Sequence, residues 1–360
     1  MAKPRRMIVG TLVLVIVLLV LKTLNDAGSF KTIKPHVEGT LQKVEGIAGV
    51  EDITIDQATG LALLSSDDRR AYALDGKPKK GGIFVLDLND SLSKPHELTQ
   101  SFREDFHPHG ISLVKLTDGR KRLFVVNHSL VHQDTATIEI FDWQDSVLIH
   151  RETLKNPAYL PSPNDIVGVG ERQFYVTNDH DAQKSFFRNL KDYLQIGTGY
   201  VAFYDGTRWQ KTLASGIKYA NGINISPDNT KLFVASTTGR SIFVYDINPA
   251  SGAISPDDEI YLNTGVDNLE WDATGALWIG CHPQLLKFVS HSKDPKKLSP
   301  SQVLKLNYKG TASFDTTEVY LNDGHPLSGS SVGAVYKNQL LIGPVFERHL
   351  LRYWLKNTEK

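Results

Sequence analysis

The sequence holds one cysteine, Cys281, among 360 residues. An intramolecular disulfide is therefore excluded, and the fold must hold without a covalent staple whatever its compartment. Charge of either sign is not in excess: 40 basic residues meet 40 acidic ones, with no long basic run. That excludes the clustered basic face a nucleic-acid partner calls for. Long helical periodicity is rare past residue 40. Cys281 ends the apolar run Leu277-Trp278-Ile279-Gly280-Cys281 and reads as a buried, inert thiol.

Long hydrophobic runs are also scarce; one exists, at the N-terminus. Lys3, Arg5 and Arg6 precede an apolar stretch over residues 7–21, closed by Lys22. Counted through Leu24, with Lys22 snorkelling, the stretch suffices for a slightly short membrane span. The nearest approach to a cleavage site is Ala27-Gly28-Ser29, so an uncleaved signal anchor is favoured over a cleaved signal. Positive charge before the span keeps the N-terminus cytoplasmic and places the rest in a periplasm, lumen or extracellular space. The expected organisation is a basic flank over 1–6, an anchor over 7–24, a stalk over 25–40 and one large domain over 41–360.

What is abundant is short strands separated by turn signals. One strand type ends alike each time: Ile83-Phe84-Val85-Leu86-Asp87, Ile138-Glu139-Ile140-Phe141-Asp142, Val201-Ala202-Phe203-Tyr204-Asp205 and Ile242-Phe243-Val244-Tyr245-Asp246. Leu285-Leu286-Lys287-Phe288-Val289 and Leu350-Leu351-Arg352-Tyr353-Trp354 read as degenerate copies. A second strand type recurs at 61–64, 123–127, 173–178, 231–236, 276–281 and 339–343. Matched pairs at a spacing of roughly 50 residues predict an all-β fold, a six-bladed β-propeller, in preference to a β-sandwich. Residues 185–194 break the pattern with helical spacing of Phe186, Phe187, Leu190, Tyr193 and Leu194, an insert expected between the third and fourth blades that covers the channel mouth, lies on a membrane surface or packs on a blade top.

The starts of the expected channel strands share one grammar: Glu51-Asp52-Ile53-Thr54, His109-Gly110-Ile111-Ser112, Asn164-Asp165-Ile166-Val167, Asn221-Gly222-Ile223-Asn224 and Asp267-Asn268-Leu269-Glu270. In a propeller these starts face one axis. Glu51, Asp52, Asn164, Asp165, Asn221, Asp267 and Asn268 would then bring oxygen donors and no sulfur to a central site, which suits calcium better than zinc. Each residue alone could be a mere turn former; five segments together argue for a site. His109 opens a channel strand and His128 closes the strand beside it, so the two rings could meet next to a metal and take a proton from water. His180 and His282 close the corresponding strands of other blades, whereas His107, His132 and His291 read as loop residues.

These stretches resemble the paraoxonase/arylesterase family. The resemblance is carried by Phe106-His107-Pro108-His109-Gly110-Ile111-Ser112, Asn164-Asp165-Ile166-Val167, Thr177-Asn178-Asp179-His180, Ala220-Asn221-Gly222-Ile223-Asn224-Ile225-Ser226-Pro227-Asp228, Val266-Asp267-Asn268, Gly280-Cys281-His282-Pro283 and Leu341-Ile342-Gly343-Pro344-Val345-Phe346. It implies a six-bladed propeller with two calcium ions. The catalytic ion would be held by Glu51, Asn164, Asn221, Asp267 and Asn268. The structural ion would take Asp52, Asp165 and the carbonyl of Ile111. His109 and His128 would match the catalytic dyad, and Tyr219, Val345 and His282 the substrate pocket. It also implies hydrolysis of lactones, with aryl esters and some organophosphates as side activities. The family's disulfide pair is absent, so pairing of the chain ends must close the ring. The charged segment between Asp67 and Gly82 does not resemble the family closely.

The leading expectation is therefore a calcium-dependent lactonase acting on a small-molecule ester. His109 is the expected base, with Asp267 as the alternative. A membrane-tethered propeller without turnover, and a sugar lactonase of gluconolactonase type, are the competing readings.

Overall fold

The computed structural model describes residues 2–71, 76, 79–102, 104–130, 136–144, 147–182 and 187–356. Among these, the strands assemble into six antiparallel sheets in a ring, a six-bladed propeller. The inner, channel-side strands are Val50–Asp56, Pro108–Lys115, Pro163–Gly168, Ala220–Ile225, Gly265–Trp271 and Ser330–Tyr336. Each opens a four-stranded meander, so every blade presents its first strand to the axis. Apolar side chains fill the seams between neighbouring sheets. One such cluster joins Val50, Ile53 and Leu64 of the first blade to Val332, Ala334 and Leu341 of the last.

The ring closes without a covalent bond. The N-terminal strand Gly39–Glu45 pairs with the C-terminal strand His349–Leu355, from Gly39 opposite Leu355 to Glu45 opposite His349. Two ends of one chain thus complete one blade, as expected in the absence of a disulfide. The fully buried Arg352 reinforces the closure by donating to the Gln339 side chain and to the carbonyls of Leu88 and Asp90. Cys281 is buried and free, as the sequence indicated.

One expected strand is corrected. Residues 285–289 are not the third strand of the fifth blade; they begin an α-helix, Leu285–Lys293. The strand that pairs with Leu277–His282 is Ser301–Gly310. Leu285, Phe288 and Val289 recur at three and four residues, a helical spacing that a five-residue apolar window conceals.

The N-terminal helix, α1 (Ala2–Asp26), exposes residues 7–22, and its span Met7–Asp26 is long and apolar enough to cross a membrane. Its far end is built into the propeller. Ala27 accepts from the backbone N–H of Leu285, and Arg240 pairs with Asp26 at 2.8 Å. The expected stalk also lies on the propeller: His36–Val37 adds an outer strand to the fifth blade. A short helix, α2 (Arg188–Tyr193), lies in the insert, which falls inside the third blade, between its strands Phe174–Asn178 and Gly199–Tyr204, and not between the third and fourth blades; residues 185 and 186 of that expected helix, and His132, fall outside the described residues. The helix Leu285–Lys293 is α3.

Candidate metal centre and active site

In every blade the ladder between the first and second strands skips at the start of the first. The skips lie between Val50 and Asp52, Pro108 and Ile111, Pro163 and Ile166, Ala220 and Ile223, Val266 and Leu269, and Ser330 and Val332. Glu51, His109, Asn164, Asn221, Asp267 and Asn268 all fall in these gaps. A bulge releases a residue from pairing and re-aims its side chain, so the same irregularity repeated around the ring turns these side chains toward the axis. Glycine then lets adjacent inner strands close up: a Cβ on Gly222 would stand 2.3 Å from the Asp267 carbonyl oxygen, and one on Gly110 equally near Asp165 Oδ1.

The upper layer brings together Glu51, Asn164, Asn221, Asp267 and Asn268, each at most 6% exposed. The Asn268 amide donates to the Glu51 carbonyl and to Glu51 Oε1, both at 2.9 Å. The Asn221 amide donates to Thr237 Oγ1 at 3.0 Å. These bonds use the amide nitrogens and leave oxygens over. Glu51 Oε2, Asn164 Oδ1, Asn221 Oδ1 and Asn268 Oδ1 are buried without any hydrogen-bond partner. An unsatisfied buried polar atom costs about 1–3 kcal/mol, so four in one place call for a shared positive ligand. The donors are all oxygen, from carboxylates and amides, which matches calcium. Among the described residues no three His, Cys, Asp or Glu side chains are placed to hold a metal ion by themselves, so a cation here would draw on the amide oxygens of Asn164, Asn221 and Asn268 as well.

One residue deeper lie Asp52 and Asp165. Asp52 accepts from the N–H groups of Ile53 and Ile111, and Asp165 from those of Ile166 and Ile223. Each carboxylate so ties its blade to the next. Burial pushes both carboxyls well above the ordinary range; the charge of Glu51 adds to this at Asp52, and that of Asp52 at Asp165. Two mutually repelling buried carboxylates also suit a cation between them.

His109 and His128 do meet: their rings stand edge to face with centroids 5.0 Å apart. No hydrogen bond joins them among the described residues. His109 Nδ1 lies 3.0 Å from the Arg69 guanidinium, and Nε2 lies 3.5 Å from Glu51 Oε1. Burial, then the Arg69 charge, lowers the His109 imidazole to about 3; burial, then His109, does the same to His128. His282, 2% exposed, donates from Nε2 to Asp267 Oδ2 at 2.8 Å, stacks on Phe288, and keeps Nδ1 without a partner. Of the histidines read as loop residues, His107 is buried against Asp67 and His291 is fully buried in contact with Arg70.

A cavity of about 220 Å³ opens above the upper layer. Glu51, His109, Asn164, Asn221 and Asp267 form its floor, and Tyr219, His282 and Val345 stand in its wall with Leu285, Leu286, Phe288 and Val289 of α3. Thr23 and Ala27 at the end of α1, and Asp192, Tyr193 and Gln195 of the insert, complete the rim. α2 is held there by His180, which bonds Asp179 through Nδ1 and Asp192 through Nε2, both at 2.9 Å. Burial alone would lower His180; the two carboxylates override it and raise the imidazole to about 9. Its stabilising contribution is then complete below 6.5, the ordinary value, and fades as pH rises through about 9. A His180→Gln protein should therefore fall furthest below the wild type in urea midpoint under pH 6.5, with the gap closing above pH 9.

Sequence reasoning missed two residues. Ser331 fills the sixth strand start, its hydroxyl 3.0 Å from both Glu51 Oε1 and Asp267 Oδ2. Its place at the start of the sixth inner strand was the available signal. Arg69 comes from the charged run after the strand Leu61–Ser66, and nothing in its local sequence points to the site.

The Arylesterase family model matches residues 39–353. Serum paraoxonase/arylesterase 2 of Rattus norvegicus is 36% identical over 318 residues, covering 85% of this chain and 86% of the relative. Serum paraoxonase/arylesterase 1 of Homo sapiens is 36% identical over 317 residues with the same coverage. Serum paraoxonase/lactonase 3 of Oryctolagus cuniculus is 33% identical over 334 residues, 91% of this chain and 92% of the relative. Among solved structures, a luciferin-regenerating enzyme superposes with a TM-score of 0.56 at 13% identity, covering 90% of this chain and 96% of its own. A gluconolactonase from Xanthomonas campestris gives 0.52 at 14% identity, covering 91% and 99%. At such identities these two speak for the fold alone.

Proposed function

The chain belongs to the arylesterase family, and on that premise we propose that it is a calcium-dependent hydrolase of lactones, with aryl esters and phosphotriesters as secondary substrates. The observation that carries the reading is the group of four buried, unpartnered oxygens under an apolar cavity. Glu51, Asn164, Asn221, Asp267 and Asn268 would hold a catalytic calcium, and Asp52, Asp165 and the Ile111 carbonyl a structural one. A calcium ion in the upper set would polarise the scissile carbonyl and stabilise the oxyanion that forms.

The chain's own groups do the rest. His282 and Ser331 orient the Asp267 carboxylate from one side, leaving it to take the proton of the attacking water. His109 offers no ring nitrogen for that task, since Nδ1 faces Arg69 and Nε2 faces Glu51. It borders the reacting centre together with His128 and holds Glu51 in place. Leu285, Leu286, Phe288, Val289 and Val345 exclude water and receive the acyl part of the substrate. This apolar wall favours a lipophilic lactone over a sugar lactone. Four unpartnered oxygens weigh against a scaffold without turnover, which has no use for them.

We further propose that α1 is retained as a membrane anchor with the propeller on the non-cytoplasmic side. Its end forms part of the cavity rim: Thr23 donates to the Tyr193 carbonyl, and Lys22 to Gln195. Leu190, Leu194 and Ile196 are exposed on the insert that α1 meets. Lipophilic substrate could pass from the bilayer surface into the cavity. A kinetic panel of medium-chain lactones, phenyl acetate and a phosphotriester tests the reading; lactones should show the highest kcat/KM. Absence of turnover with all three classes would leave the non-catalytic propeller standing.

A further inference from the structure

We propose that Arg69 is a positioning residue for His109: it fixes which ring nitrogen carries the proton and so makes His109 a hydrogen-bond donor toward Glu51. The inference rests on the hydrolase reading for its kinetic consequence, though not for its geometry.

Arg69 follows the strand Leu61–Ser66, in the charged run Asp67-Asp68-Arg69-Arg70. Its guanidinium reaches across two blades. Nη1 donates to the Gly49 carbonyl at 3.1 Å, and Nη2 to the Pro108 carbonyl at 3.0 Å. The same Nη2 lies 3.0 Å from His109 Nδ1. Two backbone carbonyls, one on each side of the seam, therefore hold the guanidinium where it meets the imidazole.

The chemistry of the pair has one solution. A guanidinium has N–H donors and no acceptor. At this contact His109 Nδ1 must supply the lone pair. A neutral imidazole with a bare Nδ1 carries its hydrogen on Nε2. Nε2 is 3.5 Å from Glu51 Oε1, the oxygen that also receives the Asn268 amide. An Nε2–H there can only donate. Glu51 Oε1 is thus approached by Asn268, Ser331 and His109, while Oε2 is left without a partner. Loss of the guanidinium would free Nδ1, let the other tautomer form, and set two lone pairs, Nε2 and Oε1, against each other.

The side-chain nitrogen spectrum of the full-length, calcium-loaded protein, labelled with 15N-histidine, tests this. The His109 signals are identified by their loss in His109→Gln. The expected wild-type pattern is a pyrrole-type Nε2 and an acceptor-type Nδ1. An Nδ1–H tautomer in the wild type would overturn the proposal with no need of an Arg69 variant. In Arg69→Met the pattern should become a mixture of tautomers. kcat should fall about 10- to 100-fold, as supporting hydrogen-bond partners typically cost, with KM within about twofold. Arg69→Lys should recover part of the wild-type pattern and rate, because an ammonium can still donate to Nδ1. An unchanged His109 spectrum in a folded Arg69→Met protein would reduce Arg69 to a structural staple. If the wild type hydrolyses no lactone or ester, the hydrolase reading fails, and the spectrum still decides the role of Arg69.

Discussion

An Asp267→Asn enzyme should keep its fold and its calcium and lose about three orders of magnitude in kcat/KM toward a lactone. The asparagine retains one oxygen for the cation and turns its amide NH2 to His282 Nε2, which accepts once the imidazole hydrogen moves to the unpartnered Nδ1, so the upper oxygen layer survives. What disappears is the anionic group that takes the proton of the attacking water, and positioned proton transfer supplies on the order of 10²- to 10⁴-fold. Native mass spectrometry should report the same calcium count as the wild type. A loss under tenfold with calcium retained would transfer the proton-accepting role elsewhere. His282 Nδ1, buried and without a partner, is the next group in line.

Removing calcium should cost stability as well as activity. Without a cation, four oxygens of the upper layer remain unsatisfied and the deep carboxylates of Asp52 and Asp165 face one another. Folding would then oppose both desolvation and like-charge repulsion. A ligand present at about 1,000 times its dissociation constant stabilises the native state by about 4 kcal/mol. In a domain of about 320 residues each kcal/mol moves the melting midpoint by roughly 1.5 °C. Chelation is therefore expected to lower the midpoint by about 6 °C, and calcium but not magnesium should restore it, because the smaller ion prefers to keep its water. An unchanged midpoint after verified chelation would leave the buried oxygens without an explanation.

Much of the site was legible in the sequence because oxygen-rich dipeptides stand at a fixed place in a repeating unit. Glu51-Asp52, Asn164-Asp165 and Asp267-Asn268 can be read as two layers once the repeat is seen. The bulges that turn them inward could not be read, since a skipped register exists only between two strands. Ser331 was missed because a serine at a strand start is common and carries no charge to draw attention. Arg69 was missed for a different reason: it meets His109 across 40 positions of chain, from a helical turn after the strand with no strand pattern of its own. The error at residues 285–289 came from an apolar run too short to show its period. The true strand, Ser301–Gly310, is more polar and was passed over. The closing strand Gly39–Glu45 was partly assigned to a stalk because its partner lies at the other end of the chain.

The central claim is that the oxygens gathered from four of the six strand starts hold a calcium ion on which hydrolysis depends. The most direct measurement is the lactonase rate of the full-length protein before chelation, after it, and after calcium is returned. The account predicts loss to the background rate and full recovery with calcium. Undiminished turnover in protein shown by mass spectrometry to be free of metal would contradict it.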